Sequence, residues 1–121
     1  MTETTHPTLY LLKTQFSDPD VGPGTFYCPD CNMIEGLLSA FHSLRQTLQI
    51  EYVDFSKPRG ALPDLAGHEN QSCPQLIFPN GDDDISRQWS VEGMGKTRRI
   101  DNTKHIAAYL SARYDLPSRH P

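Results

Sequence analysis

The 121-residue chain has no apolar run approaching the roughly 20 residues a transmembrane helix needs. Its first seven residues, Met1 to Pro7, lack the basic-then-apolar pattern of a secretory signal, so a cytoplasmic location is expected. Basic residues are the minority, 11 against 15 acidic, for a net charge of -4. A nucleic-acid binder needs a concentrated basic surface to release counterions, so that class is disfavoured. Cysteine is scarce and odd in number, three in all, and a secreted disulfide framework is not expected without an export signal. No internal repeat or low-complexity tract is present, and the length suits one domain. With 36% hydrophobic residues, among them one Trp, five Tyr and five Phe, the chain can still build a modest core. A single soluble domain is left, with its cysteines reduced, catalytic or metal-bound.

The hydrophobic pattern changes period along the chain in a definite order. Thr8 to Lys13 is a short apolar run without helical spacing and reads as a buried strand. Ser17 to Gly24, with Pro19, Gly22 and Pro23, is a loop. Met33, Ile34, Leu37, Leu38, Phe41 and Leu44 form one stripe on a helix from about Pro29 to Thr47, weakened at Gly36 by about 1 kcal/mol relative to Ala. Ile50 to Phe55 reads as a second strand, Leu62 to Gly67 as a short helix, and Gln75 to Phe78 as a third strand before the Pro79-Asn80-Gly81 turn. Asp82 to Thr97 carries no clear period: three aspartates mark an exposed turn, and Ile85 to Val91 is either a strand or a packed loop. Arg98 to Ile100 suits a fourth strand. Asp101 or Asn102 then caps a last helix that turns Ile106, Leu110 and Tyr114 inward. Strands alternating with helices argue for an α/β architecture with a central sheet.

The strongest chemical signal is Cys28-Pro29-Asp30-Cys31, placed after the first strand and at the start of the first long helix. Proline suits the first helical position, where its missing N–H would have no partner anyway. Cys28 then sits at the helix N-terminus, where unpaired N–H groups and the helix dipole favour a thiolate. Cys31, three residues on, can displace a mixed disulfide formed at Cys28. Asp30 pulls the other way, since a nearby carboxylate opposes thiolate formation. The plainer reading is two helix-end cysteines packed as small hydrophobes. Ser72-Cys73-Pro74, just before the third strand, is a second signal: a strand entrance where a cis X-Pro bond can form.

A strand, a CPxC motif opening the long helix and an X-Pro before a third strand resemble, as a set, the thioredoxin-like fold. Ile100 to Leu110 also resembles the segment that opens the last helix in glutaredoxins and glutathione-transferase N-terminal domains. Phe26 to Cys31 and Glu69 to Pro74 are similar to a small bacterial family of unknown function. The resemblance implies a single thioredoxin-like domain over 8–115, with a central mixed four-stranded sheet flanked by helices and flexible termini at 1–7 and 116–121. It further implies Cys28 as nucleophile and Cys31 as resolving thiol. A substrate or glutathione would then lie against Pro29, Cys73 and Pro74, with Asp101, Asn102 and Thr103 holding its γ-glutamyl end.

Three functional readings follow. The first is thiol–disulfide exchange on a protein disulfide or glutathione-type thiol, with no cofactor unless glutathione itself serves. The second is a module that binds glutathione or a partner without turnover. The third is a zinc or iron–sulfur site on Cys28, Cys31 and Cys73, which needs a further ligand such as His68. Nothing points to nucleic acid or membrane partners, and exposed aromatics at Tyr109 and Tyr114 would permit a homodimer. Lys96, Arg98 and Arg99 form a basic cluster that suits a phosphate or carboxylate but more often marks a solvated turn. Trp89 is expected in the core or an interface.

Overall fold

Residues Thr8–Leu12 (β1) and Gln75–Phe78 (β3) are nearly continuous apolar runs because both of their faces are covered. Leu9, Leu11, Leu76 and Ile77 are fully buried in the middle of one sheet. The chain is seen in a computed structural model that describes residues 6–121. β1 pairs in parallel with Gln49–Val53 (β2), which puts Leu9 opposite Ile50 and Leu12 opposite Val53. On its other side β1 pairs antiparallel with β3, Leu9 lying against Leu76. β3 continues antiparallel to the strand Arg98–Ile100, with Leu76 opposite Ile100.

The sheet has five strands rather than the expected four, in the order β2-β1-β3-β5-β4. The additional strand, β4, is the two-residue piece Val91–Glu92, paired antiparallel with Arg98–Ile100 (β5). It lies at the sheet edge, and its side chains are exposed. Two residues are too few to leave an alternation in the sequence. Ahead of β4, Ser86–Gln88 makes one 3-10 turn.

The first helix also differs from expectation. It ends as α1 at Pro29–Ala40, and a second short helix, α2, follows at Ser43–Thr47. Phe41 leaves helical angles (φ -122°, ψ 80°) while its N–H still closes on the Leu37 carbonyl. The break re-aims the chain so that Leu44 is buried beneath α1 along with Ile34 and Leu38, whereas Met33 points outward. Leu62–Ala66 (α3) ends where Gly67 turns at φ 110°. The last helix, α4, spans Thr103–Arg113 and is capped by Asn102, whose Oδ1 accepts the His105 N–H at 3.1 Å.

Tyr109 is fully buried, not exposed, and meets Phe78 edge-on with ring centroids 5.2 Å apart. Tyr114 is partly buried against the same core, so neither aromatic offers the exposed surface expected for a dimer. Trp89 packs on the core as expected. Of the segments expected to be flexible, residues 1–5 lie outside the described residues. Pro7 is buried, the His6 ring lies 3.1 Å from the Tyr114 hydroxyl, and Leu116 packs on the core.

Gly36 lies on the exposed face of α1, and a Cβ there would meet nothing within 4 Å. The glycine therefore brings only its entropic cost to the helix. Gly36→Ala is expected to stabilise the fold by about 0.5–1 kcal/mol, a rise in thermal midpoint of about 2–5 °C. Circular dichroism melts of the two proteins check this, and an unchanged or lower midpoint would count against it.

Candidate functional site

Between β1 and α1 the chain makes a long excursion that is pinched shut by two phenylalanines. The Phe16 N–H donates to the Phe26 carbonyl at 3.0 Å, and the Phe26 N–H donates back at 2.7 Å. This delivers Tyr27, which is largely exposed, and then Cys28 to the start of α1. Cys28 keeps extended angles (φ -86°, ψ 113°) and forms the N-cap, with Pro29 in the first turn as the sequence predicts. Its sulfur does the work usually done by a capping oxygen: the Cys31 N–H donates to Cys28 Sγ at 3.1 Å.

The three cysteines are all free thiols and occupy one place. Cys28 and Cys73 are half-buried, and Cys31 is 2% exposed on the core side of α1. The Cys28 thiol donates to the Cys73 carbonyl at 3.8 Å. Burial first, and then the hydrogen bond with Cys28, hold the Cys31 thiol well above the usual thiol range; a hydrogen bond with the Leu12 backbone offsets only part of this. The peptide bond between Cys73 and Pro74 is cis, as anticipated, and the Lys57–Pro58 bond is cis as well.

The loop that carries Cys73 is fixed by side chains that carry no motif or periodic signal. Buried Gln71 accepts the Arg59 N–H on Oε1 at 2.8 Å and donates from Nε2 to the His68 carbonyl at 2.9 Å. Fully buried Gln75 donates to the carbonyls of Asn70 (3.2 Å) and Ser72 (2.9 Å). Arg59 donates from Nε to the Phe55 carbonyl at 2.8 Å and from Nη1 to the Gln71 carbonyl at 3.0 Å. Its guanidinium carbon lies 5.1 Å from the centroid of Phe55, which in turn stacks on Phe16 at 4.6 Å with the rings nearly parallel. The wall beside the cysteines is therefore a layered stack of Phe16, Phe55 and Arg59. Burial pushes the Cys73 thiol up to about 11, although the Arg59 charge beside it pulls down and Cys28 pushes further up.

Asp101, Asn102 and Thr103 share an open hollow of about 430 Å³ with Asp30 and Met33 of α1 and with Lys104. They therefore do lie beside the first turn of α1. Two of them are already engaged, however. Asn102 caps α4, and Asp101 accepts a hydrogen bond on Oδ2 from Arg99 Nη1 at 2.7 Å. Arg99 is 8% exposed, its Nε bonded to the Glu92 carbonyl at 2.8 Å, and Arg98 pairs with Asp82 at 3.3 Å. Arg98 and Arg99 of the expected basic cluster are thus drawn into internal pairing, and Lys96 stays on the surface.

Among the described residues, no group of three or more His, Cys, Asp or Glu side chains is placed to hold a metal ion. His68 is exposed and contributes its carbonyl to Gln71 instead. Arg59, Phe55 and Phe16 were not legible as site residues. In the sequence Phe16 sits in a loop, Phe55 ends the run read as the second strand, and Arg59 lies in a Pro-Arg-Gly turn that reads as ordinary surface.

A family model described as a protein of unknown function (DUF3088) matches residues 6–118, nearly the whole chain, and the chain belongs to that family. No curated protein and no solved structure matches it.

Proposed function

We propose that this member of the DUF3088 family is a thiol–disulfide oxidoreductase built on a thioredoxin-like arrangement. The observation that carries the reading is the Cys28 sulfur, half-exposed at the N-cap of α1 and accepting the Cys31 N–H at 3.1 Å. An N–H donor and the positive end of a 12-residue helix favour negative charge on that sulfur. A thiolate is the attacking species in disulfide exchange. Cys28 attacks one sulfur of a substrate disulfide, forms a mixed disulfide and releases the first thiolate. Cys31, directly behind it, then attacks Cys28 Sγ, and the second thiolate leaves. Two electrons pass from the cysteine pair to the substrate, and the protons of the pair end on the two released thiols or in solvent. The chemistry calls for no metal or bound cofactor. The hollow at Asp30 and Asp101–Thr103 is the place where a small glutathione-type thiol would rest its polar end.

Mass-resolved alkylation across a glutathione redox titration, with each cysteine read separately, tests the proposal. Cys28 and Cys31 are expected to interconvert as one two-electron couple between about -270 and -120 mV, the span of such oxidoreductases. Thiols at both positions throughout that span would refute it.

A further inference from the structure

Cys73 takes no part in the two-cysteine exchange, yet its carbonyl accepts from the Cys28 thiol at 3.8 Å. Three features separate it from a cysteine that merely packs. It is half-buried rather than closed off, as Cys28 is, whereas Cys31 is buried. Its loop is held rigid by Gln71 and Gln75 through hydrogen bonds of 2.8–3.2 Å. Beside it stands the guanidinium of Arg59, immobilised on the carbonyls of Phe55 and Gln71 and stacked on the Phe55 ring, its charge favouring the thiolate.

Resting on the exchange reading above, we propose that Cys73 is a second resolving thiol for Cys28, with Arg59 as the positioning residue that stabilises its thiolate. Cys28 first attacks the substrate disulfide, bonds to one of its sulfurs and releases the other as a thiolate. Cys73, as thiolate, then attacks Cys28 Sγ. A Cys28–Cys73 bond forms, the bond from Cys28 to the substrate sulfur breaks, and the second thiolate leaves, taking up a proton from solvent. Two electrons have passed to the substrate, and an external thiol reductant returns the pair to its starting state. Cys31 is the less accessible competitor: it is buried on the core side, and although burial raises both thiols it raises Cys31 further, whereas the Arg59 charge draws Cys73 back. Among the described residues, the titratable and charged groups that act on the Cys73 thiol are Arg59, Cys28 and Cys31.

The test uses the full chain and a symmetrical aromatic disulfide that releases one coloured thiolate at each displacement. Cys31→Ala keeps the buried position apolar and removes one resolving thiol. It is expected to release two equivalents, the second at a rate independent of protein concentration, with a Cys28–Cys73 linked peptide found by mass mapping. Adding Arg59→Met is expected to slow the second release about tenfold and move its pH–rate midpoint upward. A residue that only held the loop would not move that midpoint. A Cys31→Ala protein that stops at one equivalent, still carrying the aryl group on Cys28, overturns the proposal and leaves the Cys28–Cys31 exchange standing. If Cys31→Ala does not fold, Cys73→Ser decides alone: a slower second release supports the relay, and wild-type kinetics overturn it. A wild-type protein that releases nothing refutes both the relay and the exchange beneath it.

Discussion

Cys28→Ser is expected to reduce disulfide turnover by on the order of a thousandfold or more, while leaving the thermal midpoint within about 2 °C of wild type. The two halves of this expectation come from different atoms of the same residue. Serine is among the preferred N-cap residues, so its hydroxyl oxygen can take over the Cys31 N–H that Cys28 Sγ now accepts at 3.1 Å. The helix start survives. The nucleophile does not, because a serine hydroxyl at neutral pH has none of the thiolate character that exchange requires. Cys28→Ala supplies the contrast: it abolishes turnover equally but removes the cap as well, at about 0.5–2 kcal/mol. Single-turnover assays with an aromatic disulfide, run beside circular dichroism melts, separate chemistry from folding. A serine variant that keeps a tenth of wild-type turnover would show that another sulfur makes the first attack, and the assignment of Cys28 would have to be given up.

Elements with a strong period or a dedicated punctuating residue could be read directly from the chain. Gln75–Phe78 and Arg98–Ile100 match expectation residue for residue. The start of α1 at Pro29 and the cap at Asn102 follow from proline and asparagine chemistry, and the cysteine motif falls where strand meets helix. What escaped is held by contacts distant in sequence or by local polar bonds that leave no periodic trace. The stretch from Asp82 to Thr97 is organised by the Asp83 carboxylate on the Ile85 and Ser86 N–H groups and by the Met94 N–H on the Leu65 carbonyl. Arg99 looks like surface charge until Gln75, Glu92 and Asp101 surround it. Tyr109 was ambiguous for another reason. Ile106 and Leu110 fit a stripe continued by Tyr114 four residues on, and equally one shared with Tyr109, three residues after Ile106. In the structure Tyr114 does pack on the core, and the edge of Phe78 takes up Tyr109 as well.

That buried tyrosine carries the second large expectation. Tyr109→Phe should cost about 1–3 kcal/mol at neutral pH, or about 4–12 °C in thermal midpoint. The ring itself stays, with its packing on Phe78, so the loss isolates one hydrogen bond: the Tyr109 hydroxyl donates to Asp83 Oδ2 at 2.6 Å. The other carboxylate oxygen is occupied by the N–H groups of Ser86 (2.6 Å) and Ile85 (2.9 Å), and Arg113 stands 3.7 Å from Oδ2. Burial pushes the Asp83 carboxyl up, but the bond from Tyr109 and those from Ser86 and Ile85 together outweigh it and hold it below the usual carboxylate value. A carboxylate depressed in the folded state stabilises the fold above its unfolded value and loses that contribution as pH falls through the folded one. The penalty for Tyr109→Phe should therefore be full at pH 7 and shrink as pH falls through the depressed folded value of Asp83, where the carboxyl takes up a proton and the bond is no longer charge-assisted. Burial and Asp83 push the Tyr109 phenol itself far above its ordinary value, so it stays protonated throughout and does not confuse the comparison. Melting both proteins in a descending series from pH 7 gives the answer. A gap between them that stays constant with pH would mean the hydroxyl is worth no more to a charged Asp83 than to a neutral one, and the anchoring of the 82–86 turn to α4 would then rest on packing alone.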